Sequence, residues 1–167
     1  MLHTMDDSTD RALVQLLQSM GTVSIASITP EGLPHASSAP GLWHQSAIYF
    51  LLSELSPHLH YLTTQKTAGL LIHAQPDSDG AESGNVFARE RLQMLASVEC
   101  IPRDQPDPDG IIATMRARWG DTVDVLWGLS DFHLVACTPQ SGRFIRGFGR
   151  AYEVTGDDWA RVALIRS

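Results

Sequence analysis

FIRGFGRAYEV, residues 144–154, alternates as a β-strand does, yet it carries two glycines in its middle. One face reads Phe144, Arg146, Phe148, Arg150, Tyr152 and Val154; the other reads Ile145, Gly147, Gly149, Ala151 and Glu153. Successive side chains of a strand point to opposite faces, so the centre of the second face is nearly bare backbone. Glycine weakens a strand, and two of them at alternate positions need a reason. One reason is a bulge or a tight barrel bend; the other is close approach of a flat group or of another backbone. Both point to a curved antiparallel sheet.

The rest of the chain supplies strands for such a sheet. TPQSGR reads as the hairpin turn joining this strand to DFHLVACT (131–138). RLQMLASVECI (91–101) is mostly apolar and reads as a strand buried on both faces. TVSIASI (22–28), HASSA (35–39), SAIYFLL (46–52) and AGLLIH (68–73) read as four more, the first two joined by the turn residues of TPEGLP. Helices stand between and around them. Leu13, Leu16, Leu17 and Met20 form the apolar stripe of a helix over 8–20, capped by Ser8, Thr9 or Asp10 and stopped by Gly21. A second opens at Ser56 with Pro57 in its first position. IIATMRARW and DTVDVLW give two more, and DDWARVALIRS reads as a closing helix over 157–167. PDSDGAESG (76–84) and PRDQPDPDG (102–110) read as mobile loops. With no repeat and no linker, residues 1–167 form one domain. The class is mainly β with helices (α+β): an antiparallel barrel of six or seven strands with helical lids.

Charge and composition narrow the function. Nineteen acidic residues face twelve basic ones, a net charge of −7, which argues against nucleic acid or an anionic membrane as partner. The longest apolar run, AIYFLL, is too short to span a bilayer, and the acidic MLHTMDDSTDR is no signal peptide, so a cytoplasmic protein is expected. Cys100 and Cys137 lack metal-ligand spacing and read as two free, buried thiols. GxSxG, HExxH and P-loop signatures are absent from the sequence, and no catalytic residue is assigned.

Three places carry binding chemistry. SELSPHLHYL sets Ser53, Ser56 and His58 at a helix N-terminus, where unpaired N–H groups attract anions; the alternative for His58 is a surface residue. His60 falls on a different side of that helix, so the two histidines are not a metal pair. Arg89 and Arg91 are two apart in an extended segment and share a face; they await an anionic partner or turn back to solvent at a strand end. Asp131 opens a strand among apolar neighbours, as an interface carboxylate or as a strand-start cap.

GLPHASSAP (32–40), FLLSELSPHLHYL (50–62), NVFARERLQM (85–94) and SDFHLVACTPQSGRFIRGFGRAYEVTGDD (130–158) together resemble the haem-utilisation branch of the split β-barrel proteins related to pyridoxamine 5′-phosphate oxidase. The resemblance covers most of residues 10–160, and GFGRAY is its most specific part. It implies a six-stranded split barrel, a homodimer, and a ligand site at the dimer interface. Haem is the implied cofactor and FMN the alternative, since flavin-binding relatives hold FMN in the same place. Those relatives put a Ser and a Lys or Arg where Ser53 and His58 stand; the haem branch has a His there. The resemblance also places Arg91 close to haem, offers Arg89 and Arg91 to an anionic phosphate or propionate, and sets Asp131 near the interface, where it could orient His58 of a second copy. It places Gly147 and Gly149 where backbones from both chains pack closely, with Arg146 and Arg150 free for ion pairs on the opposite face. Haem-degrading members carry an axial histidine just beyond the segment matching GDDW, whereas this sequence has none after His133. The axial ligand of haem iron is therefore unassigned. Three function classes follow: a haem-binding protein, with or without haem-degrading oxygenase activity; an FMN-dependent oxidoreductase; and a non-catalytic dimeric binding module.

Overall fold

The computed structural model describes residues 7–75, 85–105, 108–155, 159 and 161–164. Helix α1 (Asp7–Ser19) is followed by strands β1 (Thr22–Ile28), β2 (Pro34–Pro40), β3 (Leu42–His44) and β4 (Ala47–Ser53). Helix α2 (Pro57–Gln65) leads into β5 (Thr67–His73), a short 3-10 turn (Val86–Ala88) and the long β6 (Arg91–Ile101). Helices α3 (Pro108–Trp119) and α4 (Thr122–Gly128) precede β7 (Phe132–Ile145), β8 (Ala151–Thr155) and β9 (Arg161–Leu164).

All nine strands join one antiparallel sheet in the order β2-β1-β5-β6-β7-β4-β3, with β8 beside β7 and β9 beside β8. The sheet curls on itself around a single main core. Ile25 of β1 and Phe50 of β4, far apart in strand order, belong to that one buried cluster. Gly41 marks the seam: a Cβ there would stand 2.8 Å from Val23 of β1 and 3.0 Å from Phe50 of β4. Helix α1 adds Leu13, Leu16 and Leu17 to the same core, joined by Met20 just past its end, and α2 adds Leu59 and Leu62. This is the antiparallel split barrel expected, with nine strands among the described residues in place of six or seven, because β3 and β9 add to the seven read in the sequence.

The opening stretch is not one strand. Its first two residues end β7, and Arg146–Arg150 form a hairpin turn closed by the Arg146 N–H donating to the Arg150 carbonyl at 2.9 Å. Gly147 (φ 102°) and Gly149 (φ 67°) take left-handed backbone conformations that only glycine adopts without strain. Within the chain these glycines serve the turn. Arg146 does make an ion pair, with Glu90 at 2.8 Å.

TPQSGR, in turn, is not a hairpin. It lies inside the 14-residue β7, whose pairing with β6 shifts register so that Leu95 faces Ser141 and Ala96 faces Pro139, leaving Gln140 as the extra residue. A bulge absorbs the proline, which has no N–H for the ladder. Gly142 stays in the strand, and a Cβ there would collide with the Trp159 ring.

Four further expectations are corrected. β6 is buried on one face only, its burial alternating so that Gln93, Leu95 and Glu99 are exposed. The run buried on both faces is Leu134–Cys137 of β7, because α3 and α4 cover Leu134 from outside the barrel with Ile111, Ile112, Met115 and Val123. The closing helix is replaced by β9, which pairs with β8 from Arg161 to Leu164. Trp159, at φ 55°, cannot sit in a right-handed helix, and pairing with β8 overrides the helix propensity of the residues that follow. The loop read over 102–110 is shortened by α3, which begins at Pro108, while 76–84 and 106–107 lie outside the described residues. Cys137 is buried and its thiol is pushed up to about 12 by desolvation, but Cys100 is exposed.

Candidate functional site

Three clusters of polar side chains stand on this frame. The first forms where β4 ends, α2 begins and β7 starts. Ser53 and Phe132 are the last cross-strand pair of β4 and β7, which sets Ser53 beside Asp131. The Ser53 hydroxyl donates to the Asp131 carboxylate at 2.9 Å and accepts from the Leu55 N–H at 3.1 Å. The Glu54 N–H donates to the Asp131 carbonyl at 2.8 Å, so backbone and side chain of Asp131 are both engaged. Next to this pair His133 Nε2 meets the Glu54 carboxylate at 2.6 Å. A cleft of about 430 Å3 opens there, lined by Glu54, Leu59, His60, Thr63, Cys100 and His133.

The second cluster lies on the other side of α2. Pro57 starts the helix, so the following residue, His58, falls in its first turn and turns inward. His58 is buried, with Nδ1 2.9 Å from the Ser37 hydroxyl of β2. The surface alternative for His58 is thereby excluded. His35, two residues before Ser37, lies 3.2 Å from the Ser27 hydroxyl and meets the Tyr61 ring edge-on. Desolvation, and then the neighbouring His35, hold His58 below the ordinary histidine pKa. His58 is therefore neutral near pH 7. Below about pH 6.5 the unfolded chain takes up this proton before the folded one does, so this site lowers stability as pH falls.

The third cluster is at the opposite end of the barrel. Arg89 follows the 3-10 turn and Arg91 opens β6; an Arg91 guanidinium N–H donates to the Arg89 carbonyl at 3.3 Å. With His73, Val86 and Phe87 they line a cleft of about 230 Å3. Burial, then Arg89 and Arg91, lower the His73 pKa. Both arginines line one cleft, but the segment before them is a 3-10 turn rather than extended; that turn was not legible, though the Asn85 side chain that accepts from Phe87 N–H is an ordinary turn signal.

The five residues singled out in the sequence therefore fall into three groups: Ser53 with Asp131, His58 with Ser37, and Arg89 with Arg91. Arg91 pairs with Ile145, the last residue of β7, whereas Asp131 immediately precedes its first. They therefore stand at opposite ends of β7, with the whole 14-residue strand between them. Sequence reading missed Ser37 and His35, which sit in the weak, small-residue strand HASSA. Among the described residues no group of three or more His, Cys, Asp or Glu could hold a metal ion, and no helix is long and apolar enough to cross a membrane.

These side chains stand on a split antiparallel barrel, with the buried His58 in the first turn of α2, the Ser53–Asp131 pair at one end of β7 and the arginine cleft at the other. The chain belongs to the pyridoxamine 5′-phosphate oxidase family, which it matches over residues 9–146. It is 33% identical over 141 residues to the haem oxygenase HutZ of Vibrio cholerae, covering 84% of this chain and 78% of that protein. The crystal structure of HutZ, there described as a haem storage protein, superposes with a TM-score of 0.72 at 28% identity, over 83% of this chain and 95% of that one. ChuZ of Campylobacter jejuni shares the fold with a TM-score of 0.81 at 23% identity, over 98% of this chain and 64% of that one.

Proposed function

We propose that this protein binds haem, as a cytoplasmic homodimer whose site is completed by a second copy of the chain. One observation carries the choice of haem over FMN: the end of α2 where a flavin phosphate would rest is acidic. Ser53, the residue available to grip a phosphate, already donates its proton to Asp131, and Glu54 stands beside it. Among the described residues no Lys or Arg side chain bonds Ser53, His58 or Asp131, and His58 is neutral. A phosphate dianion placed there would face a carboxylate, while the nearby Arg103 guanidinium is already bonded to the Trp127, Leu129 and Phe132 carbonyls. FMN does not fit this donor set. Haem fits better, because its apolar macrocycle needs no cation at α2 and its propionates suit arginine.

Support for haem also comes from relatedness to HutZ. The separation of Arg91 from Asp131 supports the second copy, since one chain cannot bring both to one haem. In this reading His58 and Asp131 contact or orient the ligand, with Ser53 fixing the carboxylate, and Arg89 and Arg91 of the other copy hold its anionic edge. Bound haem would supply redox-active iron. The chain's residues bind it, orient it and keep His58 without a proton.

The test is haemin titration of the His58→Ala protein, followed by absorption. Affinity is expected to fall about tenfold or more, equivalent to ~1.4 kcal/mol, with a displaced Soret band. The loss should be partly reproduced in the wild type by acidification, but only at pH below the ordinary histidine range, because burial and His35 delay the protonation of His58. Unchanged affinity and spectrum in His58→Ala would remove His58 from the site.

A further inference from the structure

We infer that Arg103 is a positioning residue for the Asp131 carboxylate, acting through the backbone that carries it. Arg103 lies in the turn just beyond β6, far in sequence from Asp131. Its guanidinium nonetheless reaches across to the three-residue connection between α4 and β7. One terminal nitrogen donates to the Trp127 carbonyl at 2.7 Å. The other donates to the Leu129 carbonyl at 2.8 Å and to the Phe132 carbonyl at 3.0 Å. The guanidinium plane also lies over the Trp127 ring, 3.9 Å from its centroid.

These contacts bracket Asp131. Trp127 and Leu129 precede it, Phe132 follows it, and a single planar fork fixes all three carbonyls. Carbonyls at the end of a helix lack intrahelical partners and favour a cation, so Arg103 is suited to this end of α4 both as donor and as charge. Lysine is a poor substitute, because its three donors radiate from one atom and cannot span a fork. Beyond Asp131 the linkage continues without a gap. The Glu54 N–H donates to the Asp131 carbonyl, the Ser53 hydroxyl to its carboxylate, and the Leu55 N–H to Ser53, at the entrance to α2. Thus the turn after β6 sets the position of a carboxylate on the far side of β7. For its effect on haem, this inference rests on the haem reading above.

The experiment uses the full chain and two independent readouts. The first is amide hydrogen exchange with no ligand present. In Arg103→Met, protection of the Glu54 and Leu55 amides is expected to fall at least tenfold, while the amides of Ile48 and Phe50 in the same strand keep theirs. Unchanged exchange at Glu54 and Leu55 would overturn the inference. If Arg103→Met fails to fold, Arg103→Lys, which keeps the charge and the stacking stem, is put through the same measurements with the same expectation. The second readout is haemin affinity in a double-mutant cycle of Arg103→Met with Asp131→Asn. Each single change is expected to weaken binding about tenfold, and the double no more than the worse single, because both remove one function. Additive losses of about a hundredfold would show Arg103 acting independently of Asp131 and overturn the assignment. A wild type that binds no haemin would overturn the haem reading, and the exchange readout would still decide the role of Arg103.

Discussion

Replacing Phe144 by alanine is expected to lower the free energy of unfolding by about 3–5 kcal/mol. Phe144 is fully buried and pairs across the sheet with Leu92 on one side and Tyr152 on the other. It therefore fills the core at the point where β6, β7 and β8 meet, next to the hairpin that turns the chain back. Truncation removes the transfer free energy of the ring and leaves a cavity that three hydrogen-bonded strands cannot easily close. Against a total stability of about 5–15 kcal/mol for an ordinary domain, the loss is a large fraction. Denaturant unfolding followed by circular dichroism measures it. A change under about 1 kcal/mol would mean that the ring does not hold this corner of the barrel.

Gly142→Ala is expected to destabilise by about 1–3 kcal/mol, even though alanine is usually the better residue inside an element. The added methyl would fall on the Trp159 ring and within 3.1 Å of the Gln93 carbonyl. Neither neighbour yields easily, since the carbonyl belongs to the β6 backbone and Trp159 is buried. The indole must leave its place, so a red-shifted tryptophan emission should accompany the loss. Wild-type stability with unchanged emission would show that Trp159 does not rest on Gly142.

The glycines illustrate what the sequence can and cannot say. The sequence places Gly147 and Gly149 inside a strand and Gly142 in a turn, and the structure exchanges the two placements. Composition is the same in both cases. What differs is a bulge at Gln140, which lets β7 run through TPQSGR, and the arrival of Trp159 from the last segment; neither has a local signature. Strands with a local signal, β-branched residues at 22–28 or an apolar run at 91–101, have their expected bounds. Pro57 likewise marked the start of α2. The tail was misread because its charges and leucine suggested a helix, whereas pairing with β8 decides it.

At the candidate site, residue types were legible and their grouping was not. Serine, histidine and arginine at element ends announced binding chemistry. That Ser53 would bond Asp131, 78 positions away, depends on the β4–β7 register. That His58 would turn inward depends on Ser37, in a strand too poor in apolar residues to suggest a site. Arg103 escaped notice because its three acceptors are backbone carbonyls, which no side-chain pattern reveals.

The choice between haem and FMN is tested most directly by titrating the purified wild-type protein with haemin and, separately, with FMN, following absorption in each. The acidic α2 entrance leads us to expect a sharp Soret band saturating at a fixed haem-to-chain ratio, with no tight uptake of flavin. Tight, stoichiometric retention of FMN with no response to haemin would contradict it, and would mean that a phosphate finds cations that this arrangement of Ser53, His58 and Asp131 does not offer.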